Sequence, residues 1–156
     1  MIAVDIPGFG ALSLEHLVLD YNGTIALDGA LLPGVADALG ELAATLDIHA
    51  VTADTFGTAA KALSGLAVEL VIAPGSAQAE YKLQVIDRLS ADRVVAIGNG
   101  RNDQKMLRHA ALGIVVIQRE GAAVESLSSA DIVTTDILHA LSLLQNPQRL
   151  VATLRS

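Results

Sequence analysis

The stretch that most restricts how this chain can fold is Glu15 to Leu27, EHLVLDYNGTIAL. Its apolar run Leu17-Val18-Leu19 stops at Asp20, Tyr21-Asn22-Gly23-Thr24 turns the chain, and Ile25-Ala26-Leu27 resumes an apolar course. A short apolar run bounded by turn residues reads as a buried strand. A carboxylate at the C-terminal end of such a strand lies on the rim of an open sheet, where α/β folds bind ligands. The same letters admit a plain antiparallel hairpin, because Asn-Gly between apolar runs is the strongest short-range hairpin signal. Asn22-Gly23-Thr24 is also a glycosylation sequon, which matters only in a secreted chain.

The rest of the chain favours the buried strand. Residues 2–14 read as two short strands around Pro7-Gly8-Phe9-Gly10, a turn signal. Beyond Asp20, after a small excursion at Leu27-Asp28-Gly29, helical and strand patterns alternate. Pro33-Gly34 opens a helix whose apolar face is Val35, Leu39, Leu42 and Leu46. Ile48 to Val51 is a strand ending at Thr52, and its alternation is expected to turn His49 to solvent. Ala53-Asp54-Thr55 offers helix caps, and Phe56, Ala60 and Leu63 are expected to form the next apolar face, ending at Gly65. Strands follow at 68–72, 94–97, 112–117 and 131–133, with helices between them and two more at the end. Strands alternating with helices define a doubly wound, Rossmann-like α/β parallel sheet with helices on both faces, preceded here by an N-terminal β-hairpin. The last helix, with Leu150, Val151 and Leu154 on one stripe, packs on the core or meets another subunit.

Composition narrows the class. The 156 residues suit one domain, 1–156, and 52% of them are hydrophobic while only 3% are aromatic, so the core is aliphatic. No apolar run approaches the ~18 residues of a membrane helix, and no secretory signal is evident, so a cytoplasmic location is expected. There are no cysteines, which excludes disulfides and thiolate chemistry. With a net charge of −7 and no Lys/Arg cluster, neither nucleic acid nor an anionic membrane is expected as partner.

Four polar groups can share one rim: Asp20, Thr52, Lys82 near the start of the helix after the next strand, and the Gly98–Asp103 turn. Each has an ordinary reading. Thr52 can simply cap a helix, Lys82 can snorkel from an apolar face shared with Val85, Ile86 and Leu89, and Asp103 can be an N-cap. Their order and placement carry more weight than any one of them. Asp20-Tyr21-Asn22-Gly23-Thr24, Thr52, Lys82 and Gly98-Asn99-Gly100-Arg101-Asn102-Asp103 together resemble the four motifs of the haloacid dehalogenase-like superfamily of phosphotransferases, over roughly Leu17 to Leu144. Within it, soluble proteins similar to the phosphorylation domain of P-type ATPases are the nearest likeness.

The resemblance implies a phosphatase or phosphotransferase acting on a small phosphorylated molecule, with Asp20 attacking phosphorus to form an aspartyl phosphate. It implies Mg²⁺ held by Asp20, the Asn22 carbonyl, Asn99 and Asp103. It implies a phosphoryl group held by Lys82, the Thr52 hydroxyl and main-chain N–H groups near Gly23 and Ala53. Two positions depart from the family pattern. Asn22 stands where most members have an acid/base Asp, and Asn99 where they have a first metal-binding Asp, so slow or restricted turnover is expected; Asp54 is a candidate substitute acid. The gaps 25–51 and 53–81 leave no room for a cap domain. Capless members commonly assemble, so a dimer or tetramer is expected, and the absence of a nucleotide-binding domain excludes ATP pumping. The alternatives are a non-catalytic phospho-ligand-binding or assembly module and a phospho-accepting receiver, although a receiver would need an acidic pair after its first strand.

Overall fold

The computed structural model describes residues 1–156. The chain opens with an antiparallel hairpin, β1 (Ile2–Ile6) and β2 (Gly10–Leu14). Next come β3 (His16–Asp20), a small hairpin β4 (Ala26–Leu27) and β5 (Ala30–Leu31), and helix α1 (Val35–Leu42). The alternation continues through β6 (Asp47–Thr52), α2 (Thr58–Leu63), β7 (Val68–Ile72), α3 (Gln78–Arg88), β8 (Val94–Gly98), α4 (Gln104–His109) and β9 (Leu112–Val116). It closes with α5 (Val124–Leu127), β10 (Ile132–Thr134), α6 (Ile137–Gln145) and α7 (Gln148–Leu154).

Six strands form one parallel sheet in the order β10-β9-β8-β3-β6-β7. From β3 the chain winds outward through β6 and β7, then returns to the other side of β3 as β8 and winds outward again. The topological switch point therefore lies between β3 and β8, where an open α/β sheet leaves a crevice beyond its strand ends. LVLD is a central parallel strand, and the hairpin reading of residues 17–27 fails: β3 pairs with β6 and β8, not with its own continuation.

Period-two alternation assigns the two cores. Leu17 and Leu19 face a layer built with Leu39 of α1, Leu141 of α6, Leu150 of α7 and Leu14 of the N-terminal hairpin. Val18 faces the other layer, with Val85 and Ile86 of α3 and Met106 and Leu107 of α4. Each such buried side chain contributes roughly 1.5–3 kcal/mol of transfer free energy. The last helix thus packs on the core through its Leu150 stripe. No helix is long and apolar enough to cross a membrane.

Two local expectations are corrected. His49 does not face solvent but is 7% exposed, because helices cover both faces of a parallel strand. Phe56 and Ala60 do not form an apolar face: Phe56 is 90% exposed, and α2 begins at Thr58 and buries Ala59 and Leu63. The cause is Asp54, whose carboxylate accepts the N–H groups of Ala59 at 2.8 Å and Ala60 at 3.1 Å. Its carbonyl closes a turn with Gly57 at 3.0 Å, and that turn carries Phe56 outward.

Candidate active site

The polar groups expected at the strand ends converge at the switch point. Lys82, on the second turn of α3, is 1% exposed. It shares its helix face with Val85 and Ile86, as the sequence periodicity requires, but it does not snorkel. Its Nζ donates to Asp20 Oδ1 at 2.7 Å, to Asp103 Oδ1 at 2.6 Å and to Asn102 Oδ1 at 3.3 Å, so all three ammonium protons are used. Asp103 is fully buried, and its second oxygen accepts the N–H groups of Asn99 (3.0 Å) and Gly100 (2.9 Å). Gly98 makes this loop possible, since a Cβ there would lie 2.6 Å from the Asp103 carboxyl carbon.

The electrostatics are dominated by burial. Desolvation, then the negative charge of Asp103, push the Asp20 carboxyl up to about 7, against the pull of Lys82 and the hydrogen bonds from Lys82 and Thr24. At Lys82, burial favours the neutral amine, but Asp20 and Asp103 outweigh it and hold the ammonium above its usual range. A buried ion pair is a weak source of stability, because desolvating the charges costs about as much as their attraction returns. Three buried charges at a switch point are better explained as functional equipment.

Thr24, fully buried, sits between two acceptors: its hydroxyl is 3.2 Å from Asp20 Oδ2 and 3.2 Å from Asn99 Oδ1. One hydroxyl proton can serve only one of them. With Asp20 ionised, Asp20, Asp103 and Lys82 also leave one net negative charge in the site. Two oxygens competing for one proton beside an excess negative charge fit a divalent cation. Nowhere do three His, Cys, Asp or Glu side chains gather so as to hold a metal by themselves, so a cation here relies on amide and main-chain oxygens as well. Mg²⁺ tolerates this, because it keeps several waters and uses few protein carboxylates.

The remaining residues are placed as follows. Asp20, Asn22, Thr52, Ala53, Asn99 and Asn102 line one cleft of about 330 Å³. The Thr52 oxygen accepts the N–H of Asp54 at 3.3 Å, which leaves its own proton to donate. The Ala53 N–H has no acceptor within the protein, whereas that of Gly23 is committed to the Ala26 carbonyl at 2.7 Å. Gly23 is thus required for its φ of +84° and its missing side chain, not for its amide. Asn22 Oδ1 accepts the N–H of Gly29 at 2.9 Å and braces the β4–β5 excursion. The Asp54 carboxylate is spent on capping α2, which leaves it unsuited to act as the substitute acid.

Sequence reasoning missed three participants. Gln78 Oε1 accepts from Asn102 Nδ2 at 2.9 Å and so orients the Asn102 oxygen on Lys82. Gln118 donates to the Gly23 and Thr24 carbonyls at 3.2 and 2.9 Å, tying the turn after β9 to the turn after Asp20. Glu120, on that same turn, lines the cleft. No spacing rule singles out any of them, although Gln118-Arg119-Glu120 directly follows an apolar strand and so had to lie near the rim. Beside the cleft, and sharing Glu120 with it, is a second pocket of about 540 Å³ walled by Leu27, Leu32, Pro33, Ile137 and Leu138.

Similarity to solved structures defines the class. The chain superposes on the 3-deoxy-D-manno-octulosonate 8-phosphate phosphatase of Moraxella catarrhalis, solved with magnesium, phosphate and KDO, with a TM-score of 0.67 at 16% identity, covering 90% of this chain and 92% of that one. It also superposes on the catalytic domain of the CPx-ATPase CopB, with a TM-score of 0.62 at 25% identity, covering 74% of this chain and 46% of that one. The fold is that of the haloacid dehalogenase-like superfamily, with a P-type ATPase catalytic domain among its likenesses. No family profile matches the chain. An uncharacterized protein of Methanocaldococcus jannaschii is 46% identical over a 78-residue alignment that covers 47% of this chain and 84% of that protein. The chain belongs to one family with that archaeal protein.

Proposed function

We propose that this chain is a single capless domain acting as a Mg²⁺-dependent phosphatase or phosphotransferase through a phosphoryl group carried on Asp20. The observation that carries the reading is the Lys82 ammonium, buried and clamped 2.7 Å from Asp20 and 2.6 Å from Asp103 at the switch point. A carboxylate so held on Oδ1 is restricted in orientation, and its Oδ2 is contacted only by the Thr24 hydroxyl at 3.2 Å.

In the first step an Asp20 oxygen attacks phosphorus, an O–P bond forms, and the bond to the leaving-group oxygen breaks. In the second, water attacks the same phosphorus, the Asp20–phosphorus bond breaks, and inorganic phosphate departs. Dividing the displacement in this way replaces one hard step by two easier ones. Lys82, the Thr52 hydroxyl and the Ala53 N–H are positioned to hold the transferring oxygens in a preorganised arrangement. Mg²⁺, held by Asp20, the Asn22 carbonyl, Asn99 and Asp103, would supply charge neutralisation and orient the phosphate. Asp103, with three hydrogen bonds already in place, chiefly holds Lys82 and the Asn99 loop, with lone pairs to spare for a cation-bound water.

The apolar pocket beside the cleft seats the leaving group. The substrate is then a small phosphorylated molecule with an apolar face and a good leaving group, since Asn22 has no proton to give a poor one. The Asn22–Gly29 bond favours one competing reading, a phospho-ligand-binding module in which position 22 is purely structural. Large apolar side chains at the surface, Phe56 and Val124 among them, fit assembly into a dimer or tetramer. A screen of phosphoesters with Mg²⁺, run beside Asp20→Asn, separates enzyme from module: turnover in the wild type, lost in the variant, is the expected result.

A further inference from the structure

Position 99 has lost a carboxylate, and the cleft contains another that has no partner. Glu120 lies on the turn that follows β9 and makes no hydrogen bond or ion pair within the protein. The turn itself is held firmly. Gly121 N–H donates to the Gln118 carbonyl at 2.9 Å, Gln118 Nε2 is fixed on the Gly23 and Thr24 carbonyls, and Gln118 Oε1 accepts the N–H of Ile137 at 2.9 Å. Asn99 Nδ2 donates to the Gly121 carbonyl at 3.1 Å, binding the β8 loop to the same turn.

These ties set the turn that carries Glu120 against the turn after Asp20. A methyl group placed on Gly23 would run into the Glu120 carboxylate and lie 2.6 and 2.8 Å from Nδ2 and Oδ1 of Asn99. The Glu120 carboxylate and the Asn99 amide thus both lie against Gly23, in the turn after Asp20. Asn99 Oδ1 is also one of the two oxygens that compete for the Thr24 proton. Of the other carboxylates nearby, Asp54 is committed to the α2 N-terminus, and Asp103 serves Lys82 and two amides and keeps only its remaining lone pairs for the cation site.

We propose that Glu120 supplies the cation site with the carboxylate that Asn99 lacks. The proposal rests on the cation-dependent reading of the cleft. A cation bound by Asp20, Asn99 and Glu120 regains the charge count of a site with an aspartate at position 99, and ligand charge is a main determinant of affinity for hard divalent cations. The absence of a side chain at Gly23 then acquires a reason, since any side chain there would occupy the space between Glu120 and Asn99.

Isothermal titration of Mg²⁺ into the full chain tests this. Glu120→Gln, a change on an exposed turn that leaves the fold intact, is expected to weaken Mg²⁺ binding at least about tenfold, the scale on which support for a bound metal is lost. Adding Asn99→Asp to that variant returns a carboxylate to the same point and is expected to restore most of the affinity. Arg119→Gln, one residue away, is expected to bind Mg²⁺ as the wild type does. Wild-type affinity in Glu120→Gln overturns the proposal while leaving Asp20 phosphorylation intact as a separate question. A wild type that takes no Mg²⁺ overturns both. A wild type that binds Mg²⁺ through Glu120 but never phosphorylates Asp20 sustains the proposal and removes the phosphatase reading.

Discussion

Strands β3 and β6 carry a cluster of titratable residues toward each end, and the two clusters differ in burial and in convergence. At the C-terminal end, Asp20 meets Lys82 and Asp103 inside the protein, and every ammonium proton has an oxygen. At the N-terminal end, His16 and His49 meet Asp47 and Glu69, with the His49 Nδ1–Glu69 contact at 2.9 Å and the two imidazoles 3.4 Å apart. There the carboxylates are in water, Asp47 being 79% and Glu69 68% exposed. Buried charges that converge on a switch point cost stability and are kept for what they do, whereas ion pairs with exposed carboxylates contribute little either way. Chemistry in this fold follows burial and convergence, not the mere presence of titratable residues.

Breaking the buried cluster should have the largest effect. Lys82→Met leaves Asp20 and Asp103 facing each other without a cation and should cost about 3–5 kcal/mol of stability, together with all turnover. Chemical denaturation in Mg²⁺-free buffer reads the first effect. A loss below about 1 kcal/mol would mean that the two carboxylates are already neutralised by other means.

The Asn22→Asp variant probes the cleft itself. The new carboxylate keeps the acceptor for Gly29 N–H and adds a proton carrier at nearly constant size. Turnover of a poor-leaving-group phosphomonoester should rise at least about tenfold, with a smaller gain for an activated aryl phosphate. Equal gains on both substrates would show that leaving-group protonation is not what Asn22 lacks.

At the solvated end, effects should be smaller still. Burial lowers the His49 proton affinity and outweighs the attraction of Glu69, so the folded chain binds the proton less readily than the unfolded one. Stability therefore holds above about pH 6.5 and falls as the pH drops below it. His49→Gln should flatten that decline when Tm is followed between pH 5 and 8. Glu69→Gln, which removes an exposed partner, should change stability by roughly 0.2–1 kcal/mol at neutral pH.

The two ends also differ in how legible they were. Asp20, Thr52, Asn99 and Asp103 could be placed from sequence because each ends or follows a strand, and in a parallel sheet all strand ends on one side share a rim; Lys82 could be placed because it lies near the start of the helix after such a strand. His49 could not, because alternation says which face a residue takes and not whether that face is covered. Phe56 failed for a local reason: Asp54 caps α2 from four residues upstream of its first residue, a reach that ordinary N-cap spacing does not anticipate. Gln78, Gln118 and Glu120 come from elements whose apposition only the folded chain reveals, and Gly23 showed its steric role only once the Glu120 turn was seen against it.

If Asp20 carries the phosphoryl group, that group can be trapped on it. The chain is incubated with a radiolabelled activated phosphoryl donor and Mg²⁺, quenched in acid, digested, and the label mapped. The expected result is an acid-stable, hydroxylamine-labile label on the peptide containing Asp20, absent from Asp20→Asn and shorter-lived in Asn22→Asp. Label persisting in Asp20→Asn, or a wild type that binds Mg²⁺ and hydrolyses the donor without passing through a labelled Asp20, would contradict it.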